Sequence, residues 1–215
     1  MRTIKYHHEP VWINSMDKDV MFTATSMPDK DWWSVLWPDP ATVLRLIGIE
    51  KDMDVVDLCC GDGYFTKPIC ELVYPGKTWA LDLDFSLLRE AEKHCECYSN
   101  FYPILGDARE LSKQIGEPVD CVFMANTFHG IPDKIKFSQS VNCSLKYGGL
   151  FVVINWHYRD REKTTVLNQP RGPDTELRLQ PEEVSAVVEP GGFILDKVID
   201  VGPYHYAAIF IKNAK

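Results

Sequence analysis

The sequence predicts an α/β protein with a doubly wound, parallel sheet, and three observations point to this fold class. Apolar runs that suit buried strands alternate with helical stretches through the middle of the chain. A glycine-containing turn joins the first run to the helix that follows it. Acidic residues lie within or just after each of the first three runs. This arrangement gathers polar side chains at one edge of the sheet, where open α/β sheets bind their ligands.

Five apolar runs are predicted to be the buried parallel strands, and helices are predicted around them from hydrophobic periodicity. The runs cover residues 55–58, 78–82, 102–105, 121–124 and 150–154. The predicted helices cover residues 40–48, 64–73, 86–95, 108–115, 134–145 and 181–188. Two further strands, 193–201 and 206–211, are predicted at the end of the chain, joined by a turn that contains Gly202 and Pro203.

Length and composition fit one globular domain. The chain has 215 residues, of which 45% are hydrophobic and 25% charged, and its formal net charge is −8. This charge argues against nucleic acid or an anionic membrane surface as a partner. The sequence contains neither an apolar run of about 20 residues nor a signal-peptide pattern, so we expect a cytoplasmic location and no membrane span. Seven cysteines, an odd number, are expected to be reduced thiols.

An aromatic N-terminal extension, residues 1–40, is predicted to cap a single domain formed by residues 41–215. We interpret its aromatic side chains mainly as packing groups, although His7 and His8 are candidates to close over a ligand. The aromatic residues concerned are Trp12, Phe22, Trp32, Trp33 and Trp37.

The segment VVDLCCGDGYFT, residues 55–66, carries the sharpest functional signal. Gly61 and Gly63 allow backbone to approach a ligand closely, and the helix that follows offers free amide donors at its N-terminus. Asp82 ends the second strand about 20 residues later, where a carboxylate can accept both hydroxyl protons of a ribose. Asp107 follows the third strand, where it can accept from the exocyclic amine of a purine. The three strand ends together predict an adenosine-containing ligand.

Two adenosine cofactors compete for this site. A dinucleotide fingerprint needs G-x-G-x-x-G/A, but Thr66 occupies the third position and Asp62 would face the pyrophosphate. Acidic Asp57 suits an ammonium group, which favours S-adenosylmethionine. An NAD(P)-dependent oxidoreductase, with a final strand parallel to its neighbours, and a non-catalytic protein that binds an adenosyl ligand stay open as alternatives. RNA as a substrate is disfavoured by the acidic charge balance and by the lack of an appended basic domain.

These motifs resemble those of the class I S-adenosylmethionine-dependent methyltransferases over residues 42–210. DLCCGDG is similar to their first motif, usually D-x-G-x-G-x-G, with Cys59 in place of the first glycine. ALDLD, LGDA, VFMANTFHGIPD and GGLFVVINWH resemble the second to fifth motifs. The resemblance implies a Rossmann-like sheet of seven strands whose last strand is antiparallel, and it is greatest for the small-molecule branch around quinone- and arsenite-methylating enzymes.

The resemblance also implies which residues bind the cofactor, whose product would be S-adenosylhomocysteine. The methionine end is assigned to Asp57, Cys59, Gly61 and Gly63, the ribose to Asp82 and Leu83, the adenine to Asp107 and Ala108, and the surroundings of the sulfonium to Asn126. Asp84 is instead expected to cap the next helix.

A small molecule is the expected methyl acceptor, and the residues after the fourth and fifth strands are expected to contact it. His129 and His157 are the candidate catalytic residues, as bases or as ligands of an acidic substrate group. Trp156 and Arg171 are candidate substrate-binding residues, and Arg171 suits a carboxylate or another anion. The long segment 158–180 is expected to be a lid or a binding loop. No complete zinc-like ligand set is visible, and the lack of cysteine after Cys143 argues against metalloid chemistry.

Overall fold

The computed structural model describes residues 32–213, which form a seven-stranded mixed sheet with helices on both faces. The strand order is β3-β2-β1-β4-β5-β9-β8, and a separate two-stranded hairpin pairs β6 with β7. The strands are β1 (Val55–Leu58), β2 (Thr78–Asp82), β3 (Phe101–Leu105), β4 (Val119–Ala125), β5 (Leu145–Trp156), β6 (Thr165–Val166), β7 (Gln169–Pro170), β8 (Phe193–Asp200) and β9 (His205–Lys212).

The doubly wound fold is confirmed. Strands β1 to β5 are parallel to one another, and β9 pairs antiparallel with β5, with Phe151 opposite Phe210. This antiparallel strand matches the methyltransferase-like sheet and differs from the parallel final strand that the oxidoreductase alternative predicts. β4 and β5 begin earlier than expected because a register shift near Val119 lets Leu145 join the sheet ahead of the apolar run.

Seven α-helices occur in the described part of the chain, two before β1 and five between later strands. They are α1 (Trp33–Leu36), α2 (Pro40–Leu46), α3 (Thr66–Val73), α4 (Phe85–Cys95), α5 (Leu111–Gln114), α6 (Lys134–Ser144) and α7 (Pro181–Val188). The predicted helix 108–115 is a 3-10 turn, Ala108–Glu110, followed by the short α5. Asp84 caps α4 as expected, since its Oδ1 accepts hydrogen bonds from the amides of Ser86 and Leu87 at 2.7 and 3.2 Å.

Alternate residues of each central strand supply two hydrophobic layers, one on each face of the sheet. Phe151 and Val153 of β5 pack into the layer beneath α6 and α7, whereas Val152 and Ile154 pack into the layer beneath α2 and α3. The central strands β1, β4 and β5 are buried on both faces, as expected for a sheet with helices on each side.

The end of the predicted N-terminal cap packs on the second of these layers. Trp32 and Trp37 are almost fully buried, and the Trp37 indole N–H donates to the carbonyl of Val201 at 2.6 Å. The rest of the predicted cap lies outside the described residues, including Trp12, Phe22, His7 and His8, so the boundary at residue 40 stays a prediction.

The segment 158–180, called the 158–180 loop below, is ordered by a buried arginine. It contains the β6–β7 hairpin and two 3-10 turns, Arg161–Lys163 and Thr175–Leu177. Arg178 is only 2% exposed, and its guanidinium donates to the carbonyls of Arg159 (2.9 Å), Arg171 (3.0 Å) and Pro173 (3.1 Å) and to the Thr164 hydroxyl (3.0 Å). One side chain therefore joins both ends of the loop.

No helix within residues 32–213 is both long enough and apolar enough to cross a membrane.

Substitution of Gly63 by Ala is expected to destabilise the fold by about 1–3 kcal/mol. Gly63 has φ +86°, and an added Cβ would lie 2.9 Å from the Cβ of Ala91 on α4. The free energy of unfolding from urea titration measures the loss. Gly116→Ala is the matched control, because Gly116 has nothing within 4 Å of the added atom. Equal stability of the two variants would contradict the steric role of Gly63.

Candidate active site

A cavity of about 450 Å³ opens at the carboxyl ends of β1 to β5, a size that suits a drug-sized ligand. The first three strands contribute Asp57, Asp82 and Asp107, each at the position that the sequence predicts. The cavity continues past β4 and β5 to the 158–180 loop. Eight of the predicted cofactor-binding residues line it: Asp57, Cys59, Gly61, Asp82, Leu83, Asp107, Ala108 and Asn126.

Gly63, the ninth predicted cofactor residue, does not line the cavity. Its amide donates to the Cys60 carbonyl at 3.1 Å, and its α-carbon packs against Ala91 of α4. The expected contact with the methionine end is therefore corrected to a steric role, because the absence of a side chain lets α4 approach the turn.

Asp57 is a buried acid at the end of β1. Its side chain is 3% exposed, and its Oδ2 accepts a hydrogen bond from the Thr66 hydroxyl at 2.6 Å. Burial raises the pKa of Asp57 to about 7, the Thr66 hydrogen bond opposes this rise, and the charges of Asp82 and Asp62 add to it. A cation placed beside this carboxylate would favour its charged form.

Asp82 links the glycine turn to the end of β2. Its Oδ2 accepts from the Gly61 amide and its Oδ1 from the Asp84 amide, both at 2.8 Å. Burial raises the pKa of Asp82, and these amide hydrogen bonds lower it. Each carboxylate oxygen has a second lone pair, so the group can still accept hydrogen bonds from a ligand.

Asp107 caps the 3-10 turn after β3 and pairs with a neighbouring arginine. Its Oδ1 accepts from the Arg109 amide at 2.9 Å, and its Oδ2 lies 2.5 Å from Nη2 of Arg109. A ligand amine at this position would share the carboxylate with Arg109.

Two non-glycine residues in the left-handed conformation flank the centre of the cavity. Cys59 has φ +61° after β1, and Asn126 has φ +58° after β4. Neither polar atom of the Asn126 side chain has a hydrogen-bond partner within the described residues, although both atoms are buried. Backbone strain and an unsatisfied buried amide each cost about 1–3 kcal/mol, and together they mark a position built for a ligand.

His129 lines the cavity from the 3-10 turn Phe128–Gly130. Burial and, to a smaller extent, the positive charges of Lys134 and Arg178 lower the pKa of His129 to about 4. The imidazole is therefore neutral near pH 7, which suits a hydrogen-bonding role more than a strong general base.

His157 points away from the cavity, so the expectation that it faces the reaction site is wrong. Its Nε2 lies 2.9 Å from Oδ1 of Asp200, and its ring packs on Tyr206 with centroids 5.3 Å apart. The reason is strand alternation, because its neighbour Trp156 already faces the cavity.

Trp156 and Arg171 both line the cavity, as predicted for substrate-binding residues. Trp156 is 2% exposed, and the Arg178 guanidinium lies 5.0 Å from its ring centroid. Sequence reasoning missed further lining residues, namely Trp32, Trp33, Tyr64, Phe65, Arg161 and Asp174. The adjacent tryptophans Trp32 and Trp33 were the one sequence feature that could have indicated this part of the cavity. Before the fold is known, however, a packing role explains them equally well.

Known proteins resemble this chain over its central part. A family model described as a methyltransferase domain, Methyltransf_25, matches residues 55–149. Demethylmenaquinone methyltransferase from Staphylococcus carnosus is 28% identical over 113 residues, which are 52% of this chain and 46% of that protein. The chain thus aligns with about half the length of this relative.

Solved structures share the fold. A SAM-dependent methyltransferase from Aquifex aeolicus superposes with a TM-score of 0.72 at 23% identity, over 86% of this chain and 94% of that one. Fibrillarin from Aeropyrum pernix, solved with natively bound S-adenosyl-L-methionine, superposes with a TM-score of 0.60 at 18% identity, over 80% and 72% of the two chains. Residues 55–149 thus match a methyltransferase domain, and the seven-stranded sheet has the fold of class I S-adenosylmethionine-dependent methyltransferases.

His129 is expected to stay neutral across the physiological pH range. Its side-chain resonances, followed by NMR, should show no titration above pH 5.5, and Lys134→Met should raise its pKa because a nearby positive charge is removed. Lys113→Met, at a well-exposed lysine, is the control and should leave the midpoint unchanged. A titration midpoint of His129 between pH 6 and 7 in the wild-type protein would show that this side chain is solvated and not buried.

Proposed function

We propose that this protein is an S-adenosylmethionine-dependent methyltransferase that acts on a small molecule by direct displacement, with S-adenosylhomocysteine as the product. The proposal rests on one observation, a single cavity whose two ends are lined by chemically different side chains. Three strand-end carboxylates and Asn126 surround the first end, and aromatic and arginine side chains form the second. A donor and an acceptor can therefore lie in the same cavity.

The residues at the first end fit S-adenosylmethionine. Asp57 is a buried carboxylate whose hydrogen bond comes from a neutral hydroxyl, which suits the ammonium of the methionine moiety. Asp82 is placed for the ribose hydroxyls, and Asp107 with Ala108 for the adenine. Asn126 has an unpartnered amide near the centre of the cavity, which fits the polar groups around the sulfonium.

When bound, the cofactor supplies an activated methyl group: the acceptor's lone pair bonds to the methyl carbon, and the electrons of the S–C bond return to sulfur. The protein therefore has few chemical tasks of its own. The protein must align the acceptor and exclude water. Trp156, Trp33 and Tyr64 line the cavity with apolar surface for both tasks. Neutral His129 can accept a hydrogen bond from an acceptor hydroxyl or amine and so orient its lone pair.

A small-molecule acceptor and a cytoplasmic location are parts of the proposal. The net charge of −8 argues against nucleic acid, and the Staphylococcus carnosus relative is named for a small-molecule substrate, demethylmenaquinone. Seven unpaired thiols support a reducing compartment.

Asp82→Ala is expected to weaken S-adenosylhomocysteine binding by about 10- to 150-fold. The substitution removes hydrogen bonds to a charged group, which contribute about 1.5–3 kcal/mol. Isothermal calorimetry with S-adenosylmethionine, S-adenosylhomocysteine and NADH in parallel measures this effect and tests the cofactor.

The matched control for this titration is Asp196→Ala, which removes an exposed carboxylate on β8 and should bind like the wild type. Unchanged affinity in a folded Asp82→Ala variant would contradict the ribose assignment. Binding of NADH without either adenosyl ligand would overturn the proposed cofactor.

Cofactor affinity is expected to fall as the pH drops below 7. The pKa of Asp57 is raised to about 7, and an ammonium beside it lowers that pKa, so binding below pH 7 must release a proton. The association constant for S-adenosylhomocysteine should therefore decline by up to about tenfold per pH unit below 7 and level off above it.

Asp57→Asn provides the control for the pH series, because it removes the titrating group. This variant should bind weakly at pH 8 and show no comparable change between pH 5.5 and 8. A wild-type affinity that is constant over the same range would argue against an ammonium at Asp57.

A further inference from the structure

Charges in the cavity are separated along the order of the strands. The acids Asp57, Asp82 and Asp107 lie at the ends of β1, β2 and β3, whereas the arginines Arg161 and Arg171 lie in the loop that follows β5. In the sheet, four strand spacings of about 4.8 Å, roughly 19 Å in all, separate β3 from β5, so Asp107 and the loop after β5 lie on opposite sides of the cavity. An acidic end and a basic end can therefore receive different chemical groups.

The 158–180 loop fixes the two arginines in place. The Arg171 amide donates to the Thr164 carbonyl at 2.9 Å, and Arg161 Nε donates to the Gly172 carbonyl at 3.1 Å. Arg161 Nη1 is 4.0 Å from the exposed Glu162, a weak, solvent-screened pairing. Asp174 is the one carboxylate among the described lining residues of this end, and it is exposed.

A third arginine, Arg178, adds a positive charge next to the cavity without lining it. Arg178 is buried against Trp156, and its four hydrogen bonds all go to neutral oxygen atoms. No carboxylate within residues 32–213 forms an ion pair with it. Asp174 is the negative charge that acts on Arg178 from nearby. A buried cation that has no ion-paired carboxylate still attracts an anion, because water screens it poorly.

Flat aromatic rings form the side walls between the two charged ends. Trp32 and Trp33 are stacked, with centroids 4.5 Å apart and planes 15° apart, and Trp32 lies 5.8 Å from Trp156. The indole N–H groups of Trp32 and Trp33 are buried and have no acceptor within the described residues. A planar aromatic ligand would pack on the faces of these rings, and the N–H groups could donate to ligand oxygen atoms that lie at the ring edges.

We infer that the methyl acceptor is a planar aromatic molecule that carries an anionic oxygen group such as a carboxylate. Guanidinium groups suit this group because their paired donors match its geometry. Arg161 and Arg171 would bind the anion, Arg178 would act as a positioning residue for the loop, and the tryptophans would stack on the ring. The inference rests on the proposed methyltransferase function and names the class of its acceptor.

Calorimetry with three probes tests the inference, with and without S-adenosylhomocysteine. The probes are 3-hydroxy-2-naphthoate, its uncharged amide 3-hydroxy-2-naphthamide, and cyclohexanecarboxylate, which has the charge without the aromatic ring. We expect the naphthoate to bind at least tenfold more tightly than either of the others. Arg161→Gln and Arg171→Gln should each remove most of the preference for naphthoate over the amide.

Arg159→Gln is the matched control, since Arg159 belongs to the same loop, is exposed and does not line the cavity. It should keep the full preference. Equal affinity for naphthoate and its amide, no saturable naphthoate binding at millimolar concentration, or an unchanged preference in both cavity variants would overturn the inference. A preference that persists in a protein unable to bind S-adenosylhomocysteine would support the anion site and contradict the methyltransferase proposal.

Discussion

The carboxylate of Asp82 is the constraint on which the acidic end of the cavity depends. It accepts from the Gly61 amide with one oxygen and from the Asp84 amide with the other, so it fixes the glycine turn after β1 to the end of β2. Because β1 and β2 are adjacent parallel strands, this link sets the position of Cys59 and Gly61 relative to the sheet. A side chain of this length and charge at the end of β2 therefore shapes the turn before any ligand is present.

The cavity concentrates features that destabilise the free protein. Asp57 and Asp82 are buried acids with raised pKa values, Cys59 and Asn126 have left-handed backbone conformations, and the Asn126 amide is unsatisfied within the described residues. The two hydrophobic layers of the sheet offset these costs, since β1, β4 and β5 are buried on both faces. Strain and unpaired polar groups are expected where a ligand completes the structure.

Much of this fold could be predicted from the sequence because its central strands are short, continuous apolar runs. The bounds of β1 and β2 match the predictions, and the acids at the strand ends follow from the parallel topology. The face of the sheet that a residue occupies at the end of a strand was harder to predict. His157 follows Trp156 directly and lies on the opposite face. The order of the 158–180 loop was not predictable, because it arises from hydrogen bonds of Arg178 to residues 5 to 19 positions away. The role of Gly63 depends on its contact with Ala91, which no local pattern encodes.

The way Gly172 packs against Trp156 bears on how the proposed enzyme could diversify. Gly172 has φ +88°, and an added Cβ would lie 2.7 Å from the indole, so the loop backbone itself rests on the ring. The basic side of the cavity is thus formed largely by one continuous stretch of chain laid on a tryptophan of the sheet, whereas the acids of the other side come from three strands. Under the proposed function, substitution within that stretch would alter substrate choice and leave the cofactor side unchanged, provided that the small residue at the contact point is kept.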